Sequence, residues 1–308
     1  MPSPCKQFCH MRFIPPDTIS GDSYSQTGFD PTLTQPTIGN PLGNPVYPGY
    51  TSANGPNWID YLTVKYNATA TLTYNLAYGG ATIDSALVAP YQPSVLSVRN
   101  QVEDQWIPTY ASKPASAPWA SDNTLFAFFD GINDVGNSWW TDTTTLNAQI
   151  FDVYASLVEK IYSAGGRNFA FLNVPPVDRS PLMLAEDASA QEGERADILA
   201  WNNLVLDLAN NLKTSHPEAN VFTIDTHDLF TKVLDNPASF PQTALYKNTT
   251  AYCAAYQNGT PTPDTLDPSC SIPVNEYLWL NSLHPTYPIH DALAEVVASQ
   301  LTAGPNVC

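Results

Sequence analysis

A chain of 308 residues with 43% apolar content has enough side-chain volume for one sizeable core, which excludes disorder of the whole. Twelve lysines and arginines stand against 29 aspartates and glutamates, a formal charge of -17. Such a surface repels phosphate backbones and anionic lipid, so neither nucleic acid nor a membrane is an expected partner. Only 13% of residues are charged, while Tyr, Trp, Asn, Thr and Pro abound, a balance suited to neutral polar ligands such as sugars.

From the amino terminus, residues 1–20 lack an apolar run of signal-peptide length, although features downstream read as extracellular. Pro15, Pro16 and Asp17 stand where a first central strand is needed, and proline cannot donate to a ladder, so that strand is expected to be damaged and the true amino terminus to differ. Gly21-Asp22-Ser23-Tyr24-Ser25 follows, then a Gly-, Pro-, Asn- and Tyr-rich stretch over 28–56, too long for a simple connection and expected to cover part of the ligand-binding surface.

Short apolar, β-branched or aromatic runs at 72–76, 125–129, 169–174 and 221–224 predict buried strands. Between them, spacings of three and four predict helices carrying Val95, Val98, Val102 and Trp106; Leu146, Ile150, Val153, Leu157 and Ile161; and Ile198, Trp201, Val205, Leu208 and Leu212. A last helix carries Ile289, Leu293, Val296, Val297 and Leu301. Alternating strands and helices imply right-handed crossovers and a mostly parallel sheet with both faces covered, a three-layer α/β/α sandwich whose ligands bind beyond the carboxyl ends of the strands. No repeat or linker divides the chain, so residues 1–308 read as one domain, expected to be a monomer. No stretch approaches the roughly 20 apolar residues of a membrane span.

Cys253 and Cys270 flank a Pro-, Thr- and Asp-rich loop and are expected to form a disulfide that staples it; the alternative is a pair of free thiols. Five cysteines leave at least one unpaired or bonded to another chain, and the pairing of Cys5, Cys9 and Cys308 stays open. Sequons at Asn67, Asn248 and Asn258 support passage through a secretory pathway. No zinc-protease, paired Cys-x-x-Cys, EF-hand or phosphate-loop pattern occurs, so neither metal nor nucleotide is expected.

Four elements carry chemistry. Ser23 sits where a strand should end, on a turn able to expose its hydroxyl. Gly79-Gly80 follows the second predicted strand and lets a backbone N–H approach a ligand closely. Asn133, in Gly131-Ile132-Asn133-Asp134, follows the third and can present a side-chain N–H to the same point. His284 is held by Pro285 just before the last helix, whereas His10, His216, His227 and His290 lack such company. Each alone is ordinary turn chemistry. Together, in the order Ser, Gly, Asn, His, they resemble the SGNH or GDSL hydrolases from about Ile19 to the end of the chain. Within that superfamily, the 28–56 segment, Asn75 to Thr82, Asn173-Val174-Pro175-Pro176 and Trp279 to Pro285 are most similar to fungal acetylesterases of carbohydrate esterase family 16.

The resemblance implies a flavodoxin-like fold with a five-stranded sheet, no cofactor, and removal of acetyl groups from short acetylated sugars such as xylo-oligosaccharides. It maps the nucleophile onto Ser23, the base onto His284, and the oxyanion donors onto the Ser23 and Gly80 N–H groups and the Asn133 side chain. The family's aspartate three residues before the histidine is Asn281 here. Three outcomes follow: Asn281 orients the histidine in a Ser-His dyad, which we favour; another carboxylate such as Asp291 serves it; or activity is reduced. Tyr24, Tyr78, Trp139, Trp140 and Tyr287 adjoin the motifs and either stack on a sugar ring or pack the loops. A lipase of broader acyl range and a catalytically impaired sugar-binding protein are the competing readings.

Overall fold

The computed structural model describes residues 16–308, and Cys5 and Cys9 lie outside them. Five parallel strands form one sheet: β1 (Pro16–Gly21), β2 (Leu72–Asn75), β3 (Leu125–Phe129), β4 (Asn168–Leu172) and β5 (Asn220–Ile224), in the order β2-β1-β3-β4-β5. The four apolar runs therefore form strands within two residues of their expected limits. The doubt over the first strand is corrected. Pro16 opens β1, a strand position where a missing N–H is harmless, and the strand pairs with β2 (Ile19 opposite Asn75) and β3 (Gly21 opposite Phe129).

Period-two alternation decides which helices each strand meets. Phe126 and Phe128 stack on Phe169 and Phe171 across the β3–β4 pair, at 5.8 and 5.7 Å between ring centroids. On the same face they meet Trp106, Trp119 and Tyr154. Phe129 points the other way and meets Trp58 and Tyr24. Helices accordingly cover both faces.

In chain order the helices are α1 (Trp58–Val64), α2 (Val98–Asn100), α3 (Ile107–Tyr110), α4 (Ile132–Gly136), α5 (Thr143–Ser163), α6 (Pro181–Leu184), α7 (Ala188–Ser215), α8 (Thr226–Asp235) and α9 (Tyr287–Ala303). α1 packs on α9 and α9 on α8, while α5 packs on α7 and α2 on α5. Between α2 and α3 the chain continues without a break as a π-helical turn, Gln101–Trp106. Pro108 removes one rung of the helical ladder just beyond it, and a widened turn is a common way to absorb that loss. Val98, Val102 and Trp106 lie on this continuous helical stretch at four-residue spacing, but Val95 does not, because Ser97 caps the helix only after it, and the wide turn was not foreseen. Neither were α1, started by a reciprocal Asn57–Asp60 capping box, nor α8, capped by Asp225.

A 2-1-3-4-5 strand order reverses direction between β1 and β3, and a crevice at the carboxyl ends of those two strands is where this topology binds ligands. Ser23 follows β1 and Asn133 follows β3.

Candidate active site

Beyond Gly21 the backbone makes one helical turn, with the Ser25 and Gln26 N–H groups donating to the Asp22 carbonyl (3.1 and 2.9 Å). Asp22, fully buried, accepts from the Tyr24 N–H at 2.9 Å, closing a local side-chain turn around Ser23. The rest of the motif is bolted down. Ser25 Oγ accepts from Trp58 Nε1 (3.0 Å), and its carbonyl accepts from Asn57 and Asn75 (2.9 and 2.7 Å). Gly21 tolerates no side chain, since a Cβ there would lie 2.9 Å from Ser25 Cβ. Gln101 makes a reciprocal amide pair with it, donating to the Gly21 carbonyl at 2.9 Å and accepting its N–H at 3.0 Å.

His284 reaches Ser23 from a loop folded back on itself, where the Leu280 N–H donates to the His284 carbonyl at 2.8 Å. Tyr24 joins the two halves, its buried hydroxyl donating to the Leu283 carbonyl at 2.7 Å. His284 Nε2 lies 2.8 Å from Ser23 Oγ, and Nδ1 lies 3.1 Å from Asn281 Oδ1. The direction of these bonds follows from the backbone. Asn281 Oδ1 also accepts from the Leu283 and His284 N–H groups at 3.0 and 2.8 Å, so this end of the carboxamide is the oxygen. Nδ1 must therefore carry the proton, leaving Nε2 as the acceptor of the Ser23 hydroxyl. Asn281 thus supplies the geometry of the usual carboxylate without its charge. Burial pushes His284 down to about 4, and no neighbouring charge opposes the shift, so the imidazole is neutral at physiological pH.

Asp291 does not serve His284, which corrects that alternative: it pairs with Lys65 at 2.7 Å and accepts from the Tyr66 hydroxyl just beyond α1. His290 is buried behind Tyr24, with burial holding it down at about 3.

Tyr78 to Ala81 form a β-turn closed by the Ala81 N–H on the Tyr78 carbonyl (3.0 Å), with Gly80 at φ +84°, the left-handed position that demands glycine in a type II turn. A Cβ on Gly79 would lie 3.8 Å from Ser23 Cβ, so this turn adjoins the serine. Among the described residues the Ser23 and Gly80 N–H groups have no protein acceptor. The Asn133 amide donates to the Ala81 carbonyl at 3.0 Å and, in a longer bond of 3.3 Å, to Asp22 Oδ2. It is held between the glycine turn and the serine turn. Beneath them three buried carboxyls, Asp22, Asp130 and Asp134, are raised by desolvation, Asp22 to about 7 and Asp134 to about 8. Among the described residues neither Asp130 oxygen has a hydrogen-bond partner.

A cleft of about 490 Å³ leads away from His284. Pro48, Thr51, Ser52 and Asn54 line one side and Gln257, Asn258 and Thr260 the other, so the 28–56 segment does wall the site, together with the loop that the Cys253–Cys270 disulfide closes. Asn54 stitches the walls together through its amide and the Thr260 N–H, which it accepts at 2.7 Å. Apart from His284, no lining side chain is ionisable. Tyr24, Tyr78, Trp139 and Trp140 are not in this lining. Tyr24 is corrected from a stacking platform to a packing residue, being 1% exposed. Trp139 covers Gly193 of α7 and Trp140 meets Trp139 edge-on, while the Tyr287 ring packs on Gly55. Gln101 was missed because only its place on an apolar helix face hinted at a buried partner. Asn67 and Asn258 are exposed and Asn248 is half-buried, its oxygen accepting from Thr250 and Ala251. No helix among the described residues is long and apolar enough to cross a membrane.

Comparison with known proteins gives the following. The chain is 39% identical over 284 residues to an acetylesterase of Thermothelomyces thermophilus, covering 90% of this chain and 85% of that one. It is 26% identical over 151 residues to a GDSL esterase/lipase of Arabidopsis thaliana, covering 46% of this chain and 39% of that one. The fold matches a crystal structure of a putative GDSL-like lipase from Parabacteroides merdae, with a TM-score of 0.51 at 10% identity over 94% of this chain and 97% of the other. Residues 19–294 match the model of the GDSL-like lipase/acylhydrolase family. With the serine, the histidine and the sheet in place, the chain belongs to the GDSL-like lipase/acylhydrolase family and is a carboxylic ester hydrolase.

Proposed function

We propose that the protein releases acetate from acetylated carbohydrates, with Ser23 as nucleophile and His284 as general base. The observation that carries this reading is the 2.8 Å Ser23–His284 contact at the end of a cleft lined by uncharged polar groups. The acetylesterase relative supports the acetyl group. In the first step His284 Nε2 takes the hydroxyl proton as Ser23 Oγ attacks the ester carbonyl. The tetrahedral oxyanion takes up the Ser23 and Gly80 N–H groups and the Asn133 amide, which exchanges its long bond to Asp22 for a charged acceptor. Imidazolium then returns the proton to the sugar oxygen, which leaves into the His284 cleft. Water, deprotonated by the same histidine, frees acetate and restores Ser23. Asn281 fixes the tautomer throughout, as a positioning residue.

Enzyme of this kind would act outside the cell as a monomer, stapled by its disulfide and carrying glycans at Asn67, Asn248 or Asn258. The test is mass spectrometry of acetylated xylo-oligosaccharides incubated with wild type and Ser23→Ala. Stepwise loss of acetyl groups with wild type alone supports the reading. Intact substrate, with p-nitrophenyl esters cleaved at every chain length, would instead assign a lipase of broad range. Binding of the oligosaccharide without any ester cleavage would assign an impaired sugar-binding protein.

A further inference from the structure

We propose that Tyr91 is the acyl-side wall of the site and sets the length of acyl group that the enzyme accepts. This inference rests on the placement of Ser23 and Gly80 in the site just described. Tyr91 is 72% exposed, an unusual position for an aromatic ring, yet it is not adrift in solvent. Its ring edge lies against Gly80: a Cβ on that glycine would overlap Tyr91 Cε1 and lie 2.6 Å from Cδ1. Behind it stands Val95, 3% exposed, with Cγ2 at 3.6 Å from the same point. Among the described residues the hydroxyl accepts only a 3.3 Å bond, from the neighbouring Gln92, so the ring is positioned by Gly80 rather than by a polar anchor.

The side of the ester that this ring meets follows from the reaction. The alcohol oxygen must sit beside His284 Nε2 to receive its proton, which commits the alcohol to the cleft that His284 lines. Tyr91 is not part of that cleft. With the oxyanion directed at the Gly80 N–H, the remaining substituent on the carbonyl carbon is the acyl chain, and it extends past the glycine turn toward Tyr91. We therefore place an acetyl methyl beside the ring seated on Gly80, where each further methylene would have to displace that ring. The left-handed Gly80 has no side chain to share this role, so the wall is supplied by residue 91.

The measurement is kcat/KM for p-nitrophenyl acetate and butyrate, with wild type, Tyr91→Ala, Tyr91→Phe and Ser23→Ala. A methylene in an apolar pocket discriminates by about 10- to 200-fold, so Tyr91→Ala is expected to raise the butyrate-to-acetate ratio by roughly tenfold or more. Tyr91→Phe, which keeps the ring, should keep the wild-type preference. Because the side chain is exposed, thermal unfolding of Tyr91→Ala should match wild type and show that the ratio reports the site. An unchanged ratio in a folded Tyr91→Ala overturns the proposal, and so does a raised KM for acetylated oligosaccharide with no change in the ratio, which would make Tyr91 a sugar contact. Ester cleavage retained in Ser23→Ala would overturn the placement of the site itself, an outcome distinct from either.

Discussion

Asn281 is the residue on which the chemistry turns. Its oxygen accepts two backbone N–H groups as well as His284 Nδ1, so the imidazole is oriented as a carboxylate would orient it. What is missing is charge. Without it nothing offsets burial, and His284 is held at about 4 rather than raised. The kcat/KM profile should therefore keep its plateau down to mildly acidic pH and fall only as pH drops through about 4, whereas an Asp-supported histidine would already lose activity at a higher pH. Asn281→Asp should move that acid limb to higher pH and raise turnover, because imidazolium gains a counter-charge in the transition state. Asn281→Ala should lower turnover by about ten- to a hundredfold, from the lost bond and tautomer control. A pH–rate series on the three proteins checks both. Asn133→Ala removes one oxyanion donor and should cost about 100- to 1,000-fold in kcat, read on p-nitrophenyl acetate.

At the scale of elements, β1 and the π-helical turn form one device. Gln101 pairs with both backbone groups of Gly21 from a buried helix face, at the point where the chain leaves the sheet to present Ser23. Gln101→Leu leaves the Gly21 N–H and carbonyl without these partners and should lower unfolding free energy by about 1–3 kcal/mol, measured by urea denaturation. Turnover should fall with it, as Ser23 loses its fixed bearing. This is also where the sequence stops being legible. Strands β2 to β5 could be read because each is a short run rich in apolar, aromatic or β-branched residues bounded by turn residues, most plainly Leu125–Phe129, which is buried on both sides and continuously apolar. Ser23, Gly80, Asn133 and His284 could be picked out because each closes a strand or precedes a helix. Gln101 and Tyr91 could not, since their roles come from contacts with Gly21 and Gly80 that no local pattern records. Pro16 misled for the opposite reason: a local rule against proline in a strand gave way at the strand's first position.

For the molecule as a whole, the buried acids set the response to pH. Asp22, Asp60 and Glu194 are raised to about 7 and Asp134 to about 8, and Asp130 is raised well above the usual carboxylate range by desolvation and by its neighbours Asp22 and Asp134. Unfolded, each would lose its proton near pH 4. Between about pH 4 and 8 the folded state therefore binds more protons than the unfolded one, and stability falls as pH rises. His284 and His290 act the other way, since the unfolded chain takes up protons below about 6.5 that the folded one refuses, but these two groups oppose the five raised acids and Asp197, which desolvation also raises. The unfolding temperature should accordingly be higher at pH 5 than at pH 8 by several degrees in a calorimetric scan. The surplus of surface acids adds to this trend, because a net charge of -17 repels itself less as carboxylates protonate.

One measurement bears on the central claim, that His284 with a neutral Asn281 activates Ser23 as the nucleophile. The protein is incubated with a fluorophosphonate ester and its intact mass and peptide map are recorded for wild type, Ser23→Ala and His284→Ala. The account predicts a single adduct on the peptide bearing Ser23, absent in Ser23→Ala and formed far more slowly in His284→Ala. An adduct on any other residue, or none from a wild type that still cleaves p-nitrophenyl acetate, would contradict it.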